Sequence, residues 1–156
     1  MILEFKNLKA EYFRSSGRPL VLACGCFDLL TVGHVRHLQS AKENGCLLVL
    51  VTADEHVNKG TDRPIFSQKA RAEVVNALRC VDYVAVNPYP TAVEAIRSLC
   101  PQVYVKGREY KNLVSSRLVE EVDALESLGG RLEFTETEED HTTDVVTRII
   151  GEKVLG

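Results

Sequence analysis

The stretch LVLACGCFDLLTVGH, residues 20–34, decides the fold. Its first five residues, Leu20 to Cys24, form an unbroken apolar run, the pattern of a strand buried on both faces. Gly25 opens a loop that closes at Gly33 and His34, and Val35, Leu38 and Ala41 then recur at helical spacing. Where a strand passes through a glycine loop into a helix, backbone N–H groups and the helix dipole can receive an anion. Thr31 and His34 stand three apart at the helix start, so both can reach one phosphate group, and Gly33 keeps side-chain bulk away. The spacing GxxxxGK[ST] is absent, which disfavours a P-loop kinase.

Outward from this stretch the same alternation repeats. Leu47 to Val51, Tyr83 to Val86, Val103 to Val105 and Leu132 to Phe134 read as four further buried strands. A helix from Ser67 is expected to carry Ala70, Val74 and Leu78 inward, and Thr91 to Glu94 reads as a capping box opening a helix to Leu99. Leu118, Val122, Leu125 and Leu128 make another stripe, stopped by Gly129-Gly130, with Ser115-Ser116-Arg117 at its start. A last helix is expected from Thr142-Thr143, carrying Val145, Val146, Ile149 and Ile150. Asn44-Gly45 reads as a left-handed C-cap. Phe5, Leu8 and Tyr12 fit one face of an N-terminal helix ended by Ser15-Ser16-Gly17.

Strands alternating with helices predict an α/β domain: a five-stranded parallel sheet with helices on both faces, residues 1–156, in which 1–17 are a helical extension. Ligands of such sheets bind beyond the carboxyl ends of the strands, where the strand order reverses. Functional residues are therefore expected just after Cys24, Val51, Val86, Val105 and Phe134.

The whole-chain balance narrows the function. A net charge of -3 over 156 residues argues against binding nucleic acid through phosphate contacts alone. No apolar run is long enough to cross a bilayer, and MILEFKNLKAEYFRSSG is too polar for a signal peptide, so residence in the cytosol is expected. Cys24, Cys26, Cys46, Cys80 and Cys100 are scattered and odd in number, which is not a disulfide framework. Cys24-Gly25-Cys26 reads as small residues in a tight loop, because no second Cys/His pair stands at zinc spacing. No resident metal site is expected.

The loop GCFDLLTVGH, residues 25–34, resembles the signature of the cytidylyltransferase-like nucleotidylyltransferases, GxFDxxHxGH, with Thr31 in place of the first His. Lys59-Gly60, Arg63-Pro64, Arg71, Ala77-Leu78 and Val81 to Val84 resemble the heptose 1-phosphate adenylyltransferases of that family. So do YVKGREY at 104–110, Gly129-Gly130 and Thr142-Thr143. The resemblance covers roughly residues 18–150 and implies a Rossmann-like nucleotidylyltransferase fold.

It also implies a reaction and its residues. The acceptor phosphate attacks the α-phosphorus of a nucleoside triphosphate in line, pyrophosphate leaves, and Mg2+ travels on the triphosphate. His34, Thr31, Lys59 and Arg71 would be the catalytic group. Gly25, Cys26, Phe27, Gly33, Lys106, Gly107, Thr142 and Thr143 would join Thr31 and His34 around the nucleotide, Lys106-Gly107 bordering base or ribose. Asp28, Asp54 and Arg63 would face the acceptor, although Asp28 equally suits a loop brace. His56 and His37 read as partly exposed and structural. The substrates implied are ATP and a sugar 1-phosphate; CTP with a polyol or amino-alcohol phosphate is the alternative. A nucleotide-binding regulator is the other, suggested by Thr31 and by His141 where the family has Ser. A homodimer is implied, with Phe5, Tyr12 and Phe13 available to cover a surface.

Overall fold

The computed structural model describes residues 1–113, 115–137 and 147–149. The strands expected from apolar runs all form: β1 Leu20–Gly25, β2 Cys46–Thr52, β3 Tyr83–Asn87, β4 Val103–Gly107 and β5 Arg131–Thr135. Every pairing is parallel and the order is β3-β2-β1-β4-β5. The chain thus leaves β1 in one direction to build β2 and β3, then crosses back to lay β4 on the other side of β1. That reversal places the switch point between β1 and β4, at their carboxyl ends.

Alternation along the strands builds two cores. Leu20, Leu22, Leu48, Leu50 and Tyr104 face one side, under α4 (Val93–Leu99) and α5 (Ser116–Ser127). Val21, Ala23, Leu47, Val49, Val51, Val103 and Val105 face the other, under α2 (Val32–Lys42) and α3 (Gln68–Asn76). Helices therefore cover both faces, which is why β1, β2 and β4 are largely apolar; β5, expected as a buried strand, is instead a half-buried edge strand that carries Arg131 and Glu133. Among the described residues no helix is long and apolar enough to cross a membrane.

Four local expectations need correction. In α3 it is Arg71, Ala72 and Val75 that are buried, while Val74 is half exposed. The inward face is rotated because it must present Arg71 to the loops at the sheet edge. The capping box at Thr91 does not form: α4 begins at Val93, and Thr91 Oγ1 accepts from the Val93 N–H at 3.3 Å. Gly45 is not a left-handed cap either. A Cβ there would lie 2.1 Å from the Pro19 carbonyl oxygen, so the glycine serves a close approach of two backbones.

The N-terminal helix is the fourth. It is broken into a 3-10 turn, Phe5–Asn7, and a short α1, Ala10–Arg14, with Leu8 and Lys9 extended between them. The break follows from pairing: Ile2 bridges Val84 in parallel, and Leu3 N–H donates to the Val84 carbonyl at 2.8 Å, covering the β3 edge. Phe13 is buried; Tyr12 and Phe13 meet Tyr83, and Phe5 meets Tyr89. The aromatics expected at a subunit surface pack on their own domain. Thr142, Thr143, His141 and most of the last expected helix lie outside the described residues.

Candidate active site

Two regions meet at the carboxyl edge of the sheet. The first is the start of α2. Thr31 is its N-cap, and its Oγ1 accepts from the His34 N–H at 3.4 Å. The imidazole reaches back, and its Nδ1 accepts the Thr31 N–H at 3.0 Å. A ring nitrogen that accepts a backbone N–H carries no proton, so neutral His34 holds its proton on Nε2, and Nε2 is the donor the ring can offer a ligand. Thr31 is thus first of all the residue that fixes the His34 ring.

The loop before this cap is held under strain. Phe27 has φ +51°, a left-handed conformation disfavoured for a bulky side chain. Its ring stands edge-on to His34, with centroids 5.6 Å apart. A Cβ at Gly25 would come within 2.9 Å of the same ring, so glycine is needed there. Asp28 holds the loop from below. Its carboxylate accepts the N–H groups of Ile65 and Phe66 at 2.9 and 3.0 Å and the Arg63 Nε at 2.7 Å. Burial pushes this carboxyl up, but those donors outweigh it and keep its pKa below the ordinary value. Of the two roles open to Asp28, the geometry selects the brace.

Arg71 is a brace as well. It is buried, and it donates to the Cys26 carbonyl at 2.6 Å, the Phe66 carbonyl at 2.9 Å and Asp54 at 2.6 Å. It ties together the loops after β1 and β2 and the approach to α3. The expected catalytic contact of Arg71 therefore becomes a positioning role, because its donors are committed within the protein. Asp54 is correspondingly occupied by Arg71. Arg63 is different: its Nη2 is buried and has no hydrogen-bond partner among the described residues.

The second region is a cavity of about 330 Å³ on the α4–α5 side of the sheet. Its lining includes Cys24, Gly25 and Cys26 of β1 and its loop, Thr52 at the end of β2, Asn87 at the end of β3, and Tyr104 and Lys106 of β4. Lys59, His56, Arg117 and Glu121 complete the polar wall. Thr52 and Asn87 stand where strand ends predict function; Glu121 was not foreseen. The Lys106 ammonium lies 5.1 Å from the Tyr104 ring centre and 4.9 Å from that of Tyr110. It therefore lines this cavity, turned away from the α2 side. Gly107 instead pairs with Thr135, whose hydroxyl meets His37 of α2 at 2.8 Å. Burial pushes the Cys24 thiol up to about 12, so it lines the cavity as a neutral group. All five cysteines are free thiols.

A profile of the cytidylyltransferase-like family matches residues 22–148, which takes in both regions. The chain belongs to the cytidylyltransferase-like family. It is accordingly a nucleotidyltransferase. Among its relatives, the bifunctional protein HldE of Wolinella succinogenes is 48% identical over 78% of this chain, which corresponds to 27% of that protein. HldE of Syntrophotalea carbinolica is 40% identical over 90% of the chain and 29% of its own length. The chain thus spans under a third of the curated relatives it matches.

Solved structures of this cytidylyltransferase-like fold agree on architecture. A lipopolysaccharide core biosynthesis protein from Thermoplasma volcanium superposes with TM-score 0.62 at 23% identity, covering 78% of this chain and 98% of that one. Pantothenate synthetase from Thermus thermophilus gives 0.55 at 11% identity, covering 86% and 60%.

Proposed function

We propose that this chain transfers the adenylyl group of ATP to a sugar 1-phosphate of the heptose 1-phosphate type, releasing pyrophosphate. The observation that carries the reading is the pairing of an anion-receiving helix start, with His34 fixed as an Nε2 donor, beside a polar cavity large enough for a phosphorylated sugar. The relatives named HldE support the acceptor class, because the KG, RP and VKGREY segments that resemble heptose adenylyltransferases lie along the same edge of the sheet.

In this reading an oxygen of the acceptor phosphate forms a bond to the α-phosphorus. The bond from that phosphorus to the bridging oxygen breaks, and pyrophosphate carries away the electron pair. A phosphate monoester is already anionic, so no general base is required; the protein positions the reactants and stabilises developing charge. His34 Nε2 donates to phosphate oxygens at the α2 start. Arg63 Nη2 supplies a buried guanidinium donor suited to phosphate, and Lys59 adds a mobile positive charge at the cavity wall. Arg71 and Asp28 keep those loops in register without touching the reactants.

Among the described residues no three His, Cys, Asp or Glu side chains are grouped to hold a metal, and Asp28 and Asp54 are both engaged by arginines. On the family resemblance, the Mg2+ of the reaction would travel on the triphosphate, and no step here is routed through it. Homodimerisation stays part of the proposal on the family resemblance alone, and light scattering at micromolar concentration reads it.

The test is a panel of ATP and CTP against heptose 1-phosphate, mannose 1-phosphate, glycerol 3-phosphate and phosphocholine, followed by pyrophosphate release. ATP with heptose 1-phosphate should give the highest kcat/KM. A clear preference for CTP, or turnover confined to acceptors that are not sugar 1-phosphates, would refute the substrate assignment.

A further inference from the structure

Glu121 is the group in the cavity that the reaction above does not use. It lies on the inward face of α5 with 2% of its surface exposed, beside Ala124 and Leu125, where an amphipathic helix ordinarily carries an apolar residue. Its Oε1 accepts the Ala92 N–H at 3.0 Å, and its Oε2 accepts the Tyr104 hydroxyl at 3.0 Å. Two cations stand just beyond hydrogen-bond reach: Arg117 Nε at 3.6 Å from Oε1 and Lys106 Nζ at 3.8 Å from Oε2. Burial pushes the Tyr104 phenol well above its ordinary value, so it remains a donor to this carboxylate.

A carboxylate has about four acceptor positions, and the two neutral donors fill two. They pin its orientation and leave capacity unspent. A brace between α5 and β4 would need only a neutral acceptor, whereas burying a charge is costly unless something uses it. At 3.6 and 3.8 Å the cations offset the buried charge without hydrogen-bonding to it, so the donors of Lys106 and the remaining acceptor positions of Glu121 can both turn to a ligand. Thr52, His56 and Asn87 line the same space with a hydroxyl, an imidazole and an amide. His56 Nε2 donates to the Pro88 carbonyl, and Asn87 is engaged by Thr91 and Tyr89, so the wall is polar and unsuited to an apolar tail while the charged pair does the reading.

We propose that Glu121 determines acceptor specificity, with Lys106: the carboxylate accepts one hydroxyl of a polyhydroxylated phosphate and the ammonium donates to its neighbour, so that the pair reads a vicinal diol. The inference rests on the cavity being the acceptor's half of the site. It selects sugar or polyol phosphates against amino-alcohol and simple alkyl phosphates, whichever nucleotide is transferred.

The experiment compares wild type with E121Q by steady-state kinetics, varying acceptor and triphosphate separately, over the acceptors above and the monodeoxy analogues of the one turned over best. Gln retains acceptance from Ala92 and the shape of Glu, and loses the charge. A hydrogen bond to a charged group is worth about tenfold or more. E121Q should therefore raise the acceptor KM tenfold or more, with the triphosphate KM within about twofold. One monodeoxy analogue should lower wild type to the level of E121Q and be indifferent to the substitution.

An unchanged acceptor KM in E121Q, or equal rises in both KM values, overturns the proposal in favour of a brace. Should E121Q not fold, wild type decides alone: equal use of the parent acceptor and all its monodeoxy analogues overturns it. The broader reading fails separately. Selective loss with glycerol 3-phosphate and CTP would sink the adenylyl assignment and keep this one. Preference for phosphocholine, which has no hydroxyl to read, would sink this one and leave nucleotidyl transfer standing. If no acceptor turns over, calorimetric titration with the same phosphates applies, and absence of binding by every polyhydroxylated phosphate overturns it.

Discussion

His34 carries the largest share of the proposed chemistry for a single side chain, because its Nδ1 accepts the Thr31 N–H and the proton of the neutral ring therefore sits on Nε2. His34→Ala should lower kcat by about a hundredfold or more while the melting temperature changes little, the usual scale for losing one donor to transition-state charge. A folded variant with near wild-type turnover would show that the imidazole only completes the cap. His37, one turn further on, behaves oppositely. It is buried against Thr135, and burial first, then the repulsion it would meet from His34 and Lys106 in their cationic forms, lower its pKa from 6.5 to about 4. The folded state keeps it neutral while the unfolded chain takes up a proton below 6.5. Its stabilising contribution is therefore complete above pH 6.5 and is lost as pH falls towards about 4, at up to about 1.4 kcal/mol per pH unit. Unfolding free energies measured from pH 7.5 to 4 should decline through that window, and His37→Gln should flatten the decline. The sequence sets His34 apart as the functional histidine and reads His37 as partly exposed; its burial depends on β5, about a hundred residues away, whose Thr135 packs on it.

At the scale of elements, the cap of α2 joins fold and function. Thr31 supplies the hydroxyl that accepts from His34 and the N–H that fixes the ring. Thr31→Val should cost about 1 kcal/mol of stability, as loss of an N-cap does, and should lower kcat as well, because the ring keeps the backbone N–H but loses the hydroxyl 3.0 Å from its Nδ1. A valine variant with unchanged kcat and reduced stability would assign Thr31 to the helix alone. Strands and helices were legible because each apolar run is long enough to be a strand and each stripe recurs at helical spacing. Boundaries and faces were less so. Val74 and Arg71 both suit one face of α3 by spacing, and only the loops that Arg71 ties decide which turns inward. Glu121 is not singled out by spacing, because it stands among other charged residues of α5. The available signal was Tyr104: a tyrosine in the middle of a central strand brings a hydroxyl into the core, and that hydroxyl needs an acceptor.

Over the whole molecule, the strand order accounts for the position of both halves of the site. With β1 central and the chain reversing between β1 and β4, the α2 start and the cavity on the α4–α5 side lie at the same edge, joined through Gly25 and Cys26. That edge was predictable from the alternation of strands and helices; the division of labour across it was not, because it follows from which side chains the twisted sheet turns to each face. Nucleotidyl transfer at this edge is the central claim, and the fate of labelled phosphorus tests it most directly. Incubated with ATP labelled at the α-phosphorus and, separately, at the γ-phosphorus, with heptose 1-phosphate as acceptor, the protein should place the α-label in the sugar-linked product and release the γ-label as pyrophosphate. Transfer of the γ-label to the acceptor, with the α-label remaining in ADP, would contradict the account.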